Sequence, residues 1–145
     1  MRDPSLALRK AYFEALDGMV YDVPVFNRPP NREKYPFILL SNQTAVDISD
    51  KTSYCWECTI LVDIVTGFDG DFGGGMQADE IGEEVIGIIR TRAEGYLDLG
   101  AELQVVTTTI DDVSSIDSQS QTHYIYRKLI RFRHIINQLT EKVHE

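Results

Sequence analysis

The stretch Ser53 to Val65 reads SYCWECTILVDIV, and its apolar residues recur at every second position. Tyr54, Trp56, Cys58, Ile60, Val62 and Ile64 form an all-apolar row, while Cys55, Glu57, Thr59, Leu61, Asp63 and Val65 form a mixed one. Successive side chains of a strand point to opposite faces, so this pattern predicts a long half-buried strand from about Tyr54 to Val65. A strand with one apolar face needs partners and a covering layer.

The same stretch holds Cys-Trp-Glu-Cys, a spacing used by thiol–disulfide enzymes and by zinc sites. The strand reading argues against both. Cys55 and Cys58 have opposite parity, and on a strand their Cα atoms would lie about 10 Å apart. A disulfide requires less than about 7 Å. A redox motif would also open a helix, whose N-terminus acidifies the thiol, whereas β-branched residues follow here. Zinc needs a second ligand pair, and His123, His134 and His144 have no finger-like spacing. The cysteines are expected to be strand residues.

Around this strand the chain reads as one domain over residues 1–145. Asp3-Pro4 predicts a helix start, with Asp3 as N-cap. Leu8, Ala11, Tyr12, Ala15 and Leu16 continue as an amphipathic stripe that Gly18 ends. Pro24 limits Val23 to Val25 to an edge strand or extended loop. The turn-rich NRPPNREKYP precedes a short expected strand at Phe37 to Leu40. A second helix is expected over about Gln77 to Arg92, with Ala78, Ile81, Gly82, Val85, Ile88 and Ile89 on one stripe. Gly82 and Gly87 inside it each cost about 1 kcal/mol relative to alanine, which predicts a close backbone contact at both. Strands are expected at 102–110 and 123–136, joined by the polar DDVSSIDSQSQ as a long mobile tip, and 137–145 is expected to be a polar tail. The sum is an α+β fold in which two main helices pack on a mostly antiparallel, or mixed, sheet in the order α-β-β-α-β-β plus an extra edge strand.

Charge narrows the function. The net charge is −9 and the pI about 4.7, which argues against binding nucleic acid by neutralising phosphates. The first twenty residues carry too many charges for a secretory signal, and FILL at 37–40 is far short of a membrane span. A soluble, intracellular chain with reduced thiols is therefore expected. Between Lys51 and Arg127 the only basic residues are Arg90 and Arg92, whereas Arg127, Lys128, Arg131 and Arg133 crowd together. Either these are solvated faces of opposite sign, or the acidic helix carrying Glu80, Glu83 and Glu84 meets the basic strand of a neighbouring subunit. Glu80, Glu83 and Glu84 would also complement the macrodipole of their own helix.

The run GFDGDFGGG lacks the Lys-Ser or Lys-Thr of a phosphate-binding loop. Asp69 and Asp71 offer two calcium ligands without EF-hand spacing, so a small calcium- or ligand-binding domain using the 67–76 loop is the alternative reading. Phe68 and Phe72 point instead to an interaction loop, because exposed aromatic residues on a glycine-rich segment seek a partner surface. Ser114 and Ser115 lack a nucleophile elbow, and Asp111 and Asp112 are adjacent, so on a strand they face apart. No catalytic constellation emerges. A protein without enzymatic activity, cofactor or bound metal is expected.

The segments VYDVPVFNRPP, YPFILLSN, WECTILVDIVTGF and ADEIGEEVIGII, in that order between an N-terminal helix and two late strands, resemble the tail terminator proteins of long-tailed bacteriophages. These are also called tail-completion or tail-to-head joining proteins. The resemblance spans nearly the whole chain through diffuse motifs. It implies a structural virion protein that forms a hexameric ring on the end of the tail tube and joins the tail to the head connector. Its partners would be further copies of itself, the tail tube protein and the connector protein, with DNA passing through unread and no membrane involved. Assembly would take place in the host cytoplasm. On this reading Phe68, Asp69, Asp71, Phe72, Glu80, Glu83, Glu84, Arg127, Lys128, Arg131 and Arg133 are the expected contact residues.

Overall fold

A computed structural model describes residues 1–29, 35–68, 75–119 and 124–139. The elements run α1 (Ser5–Leu16), β1 (Val25–Phe26), β2 (Phe37–Asp47), β3 (Cys55–Phe68), α2 (Gly75–Ile89), β4 (Leu103–Gln119) and β5 (Tyr124–Gln138). The strands form one sheet in the order β1-β2-β3-β5-β4. Only β1, a two-residue edge strand after Pro24, pairs in parallel; the other three ladders are antiparallel. The fold is α+β, with two helices on a mixed five-stranded sheet.

The apolar row of β3 forms the centre of the core. Cys58, Ile60, Val62 and Ile64 are buried, and Trp56 packs against them. Leu8, Ala11, Tyr12 and Leu16 from α1 and Ala78, Ile81, Val85 and Ile89 from α2 join the same cluster. Both helices therefore lie on one face of the sheet. The facing residues of β5, Ile130, Phe132 and Ile136, complete the layer.

Several boundaries differ from expectation, each for a physical reason. The strand expected at Phe37 to Leu40 continues to Asp47. A bulge between Leu40 and Gln43 lets the polar half keep pairing with β3. Arg9 of α1 holds that bulge, donating to the carbonyls of Leu40 and Ser41 at 3.2 Å and to Gln43 Oε1 at 2.7 Å. Asp111 to Gln119, expected as a mobile tip, are strand residues paired with β5 as far as Tyr124. They are polar because this outer half of β4 is a sheet edge on which Asp111 to Asp117 are exposed or half-buried on both faces. Asn137 and Gln138, expected in a polar tail, still belong to β5, and 140–145 lie outside the described residues.

Helix α1 begins one residue after the position expected. Pro4 is the N-cap residue, yet Asp3 still accepts the Ser5 N–H at 2.9 Å. Gly18 takes the left-handed conformation (φ 70°) just past the helix end. Helix α2 starts at Gly75, so no acidic residue stands in its first turn. The macrodipole thus does not account for Glu80, Glu83 and Glu84. A Cβ on Gly82 would stand 2.9 Å from the Lys128 stem, which is the close contact expected there. At Gly87 the expected contact is absent, with no described atom within 4 Å of such a Cβ.

Candidate functional site

The sheet has a second face that no described helix covers. It carries the mixed parity of β3 and the corresponding residues of its neighbours. A solvated face of an antiparallel sheet is normally polar, but this one holds Leu61, Leu129 and Ile135, all half-buried. Near the end of β3 the apolar residues condense into a second cluster of Phe37, Leu39 and Val65, with Phe26 and Ile125 packed on it. Tyr35 stacks on Phe37 at 5.7 Å between ring centroids and lies against the Cα of Gly67.

The basic run of β5 is largely neutralised within the chain. Its alternation sends Arg127, Arg131 and Arg133 to the open face and Lys128 to the helix side. Arg127 grips Asp63, which is 1% exposed, through Nε at 3.1 Å and through a second guanidinium nitrogen. Hydrogen bonding to that carboxylate raises the Arg127 pKa above its ordinary value. Arg133 makes a two-pronged contact with Asp111 at 2.9 and 2.6 Å and also pairs with Glu57. Lys128 passes Gly82 to reach Asp79 at 2.7 Å. Arg131 forms no ion pair or side-chain hydrogen bond with any described residue.

Glu80, Glu83 and Glu84 are exposed on α2, and none has an ionic partner among the described residues. The structure therefore brings Arg127 and Arg133 onto one face and puts the three glutamates on the opposite side of the molecule. Asp69, Asp71 and Phe72 lie outside the described residues, as does the side chain of Phe68. The calcium-binding alternative and the interaction loop both fall on that segment.

The sequence reasoning missed the acidic partners Asp63, Glu57 and Asp111. The one visible signal was Asp63, a charge inside an otherwise apolar run. It also missed a buried polar set at the core. His134 is fully buried, with Nε2 2.5 Å from the Tyr12 hydroxyl and Nδ1 3.1 Å from Thr108 Oγ1. Burial pushes the imidazole down to about 4, so it is neutral at physiological pH. The cysteines diverge as parity requires. Cys58 is in the core, where burial raises its thiol to about 12, and Cys55 is half-buried on the other side. A thiol with so high a pKa is a poor nucleophile.

This geometry defines a class: a two-layer α+β domain with both helices on one face of a five-stranded sheet and a half-apolar, ion-paired face left open. A solved structure of the same fold is a chain in the virion of a native gene transfer agent (GTA) particle. The superposition has a TM-score of 0.72 and covers 94% of this chain and 99% of that one, at 17% sequence identity. At that identity the likeness is one of fold. No family model and no curated protein matches the sequence.

Proposed function

We propose that the chain is a structural virion protein that closes the end of a phage-type tail tube as a ring and joins the tail to the head connector. The observation that carries this reading is the near end-to-end fold likeness to a chain of a gene transfer agent virion. That particle is itself a virion assembly, and the shared fold spans both chains almost completely. The resemblance of the sequence to tail terminators supplies the finer role.

The molecular surfaces are consistent with such a part. A ring is built from heterologous contacts, in which two different patches of each copy meet. This domain offers two unlike surfaces, an acidic helical side and an open sheet face. A net charge of −9 suits a passage through which DNA slides without being held. The role requires no chemistry from the protein. The test is to mix the purified chain with assembled tail tubes and image the tube ends in negative stain. Rings seated on one end support the reading; bare ends at saturating protein refute it.

A further inference from the structure

Gly82 and Gly87 of α2 pose unequal questions. Gly82 has a reason inside the chain, because the Lys128 stem crosses it. Gly87, in the last turn of α2, is exposed and a Cβ added to it would meet no described atom within 4 Å, yet a glycine within a helix costs up to about 1 kcal/mol against alanine. It lies one turn beyond Glu83 and Glu84, on the same outward stripe of the helix. Those two carboxylates have no counter-ion among the described residues.

The opposite side of the molecule carries the complement. On the open face Asp63 neutralises Arg127, while Asp111 and Glu57 neutralise Arg133. Arg131, between them on β5, has no such partner among the described residues, and Asp112 across the ladder makes no ion pair with it. Arg131 is half-buried and stands directly across from Leu61 on its other side. A helix that packs there needs a small residue at the point of closest approach and an anion beside it.

We infer that the outward face of α2 around Gly87 docks on the open sheet face of a second copy, with Glu83 or Glu84 of one copy pairing with Arg131 of the next. The occupant is a second copy because the two halves of the contact, a glycine flanked by carboxylates and a guanidinium beside Leu61, neither with an ionic partner among the described residues, sit on opposite sides of one chain. Such a contact is head-to-tail and repeats around a ring. The inference rests on the ring reading and names the surfaces that would build it.

The test uses charge reversal in the full chain, with tail-tube capping and sedimentation velocity as readouts. Arg131→Glu alone, and Glu83→Arg with Glu84→Arg, should each lower ring formation at least tenfold while leaving the chain folded, since none of the three side chains makes an ion pair among the described residues. Mixing the two variants should restore association, because reversed surfaces match each other. Gly87→Ala should raise the melting temperature yet weaken assembly, opposite signs that a merely structural glycine would not give. Variants that ring and cap like the wild type, or that lose assembly with no recovery on mixing, overturn the contact while the ring reading stands. A wild type that neither associates nor caps tubes overturns both.

Discussion

The Tyr12 hydroxyl of α1 meets Nε2 of His134 at 2.5 Å, in the middle of the covered face of the sheet. The same imidazole reaches Thr108 on β4 through its other nitrogen. His134 pairs across the ladder with both Cys58 and Thr108, so one buried ring links the helix layer to three strands. Neutral imidazole offers one donor and one acceptor, which matches two hydroxyl partners that can each give or take a proton. Protonation would make both nitrogens donors, and no described carboxylate partners the ring.

Stability should therefore depend on pH. The folded His134 titrates near 4 and an unfolded histidine near 6.5. Between those values the unfolded chain binds the proton and the folded chain does not. The contribution is fully present above the unfolded value and is lost as pH falls towards the folded one. Denaturant unfolding should show a loss of about 2 kcal/mol between pH 7.5 and pH 5 from this residue. His134→Gln, which keeps a polar group for Tyr12, should flatten that slope. An unchanged slope in the variant would assign the pH dependence elsewhere.

Arg127 and Asp63 make a second test. Asp63 is 1% exposed and Arg127 is 42% exposed, so the arginine is the removable half. Arg127→Met should cost about 2 kcal/mol, less than a fully buried pair because water screens the outer partner. Adding Asp63→Leu should recover most of the loss, since replacing both partners by apolar groups removes the stranded charge. A double variant no better than the single one would show that the carboxylate is stabilised without the arginine.

The glycines of α2 should separate in thermal melts of the free protein. Gly87→Ala gains about 1 kcal/mol of helix propensity with no described atom to obstruct it. At Gly82 the added methyl meets the Lys128 stem at 2.9 Å and disturbs its ion pair with Asp79. Gly82→Ala should thus gain distinctly less than Gly87→Ala, or nothing. Equal gains at both positions would mean that the lysine moves aside freely.

The paired cysteines should differ in the same way. Cys58→Ser places a hydroxyl in the apolar row between Ala45 and His134 and should cost about 1–2 kcal/mol. Cys55→Ser, half-buried on the other face, should stay within about 0.5 kcal/mol. Urea midpoints of the two variants decide the point; a larger loss at Cys55 would contradict the assigned faces.

Much of this fold was legible in residue order. The row from Trp56 to Ile64 announced the central strand and its covered face, and the stripes of both helices named the residues that now pack on it. The second half of β2 and the outer half of β4 were hard to read because their physics is different. Ser41 to Asp47 and Asp111 to Gln119 are polar strands held by pairing with a neighbour, so no apolar alternation marks them. The candidate surface was half legible. The basic run of β5 was plain, but its neutralisation by Asp63, Asp111 and Glu57 depends on register between distant strands, which residue order does not contain. Only the ladder singles out Arg131.

The most direct test of the ring reading is the length of tail tubes polymerised from tube protein with and without this chain. A terminator that caps a growing end should arrest elongation at substoichiometric protein, giving shorter tubes with a ring on one end. Tubes of unchanged length, with the protein left in the supernatant or spread along their sides, would contradict the account.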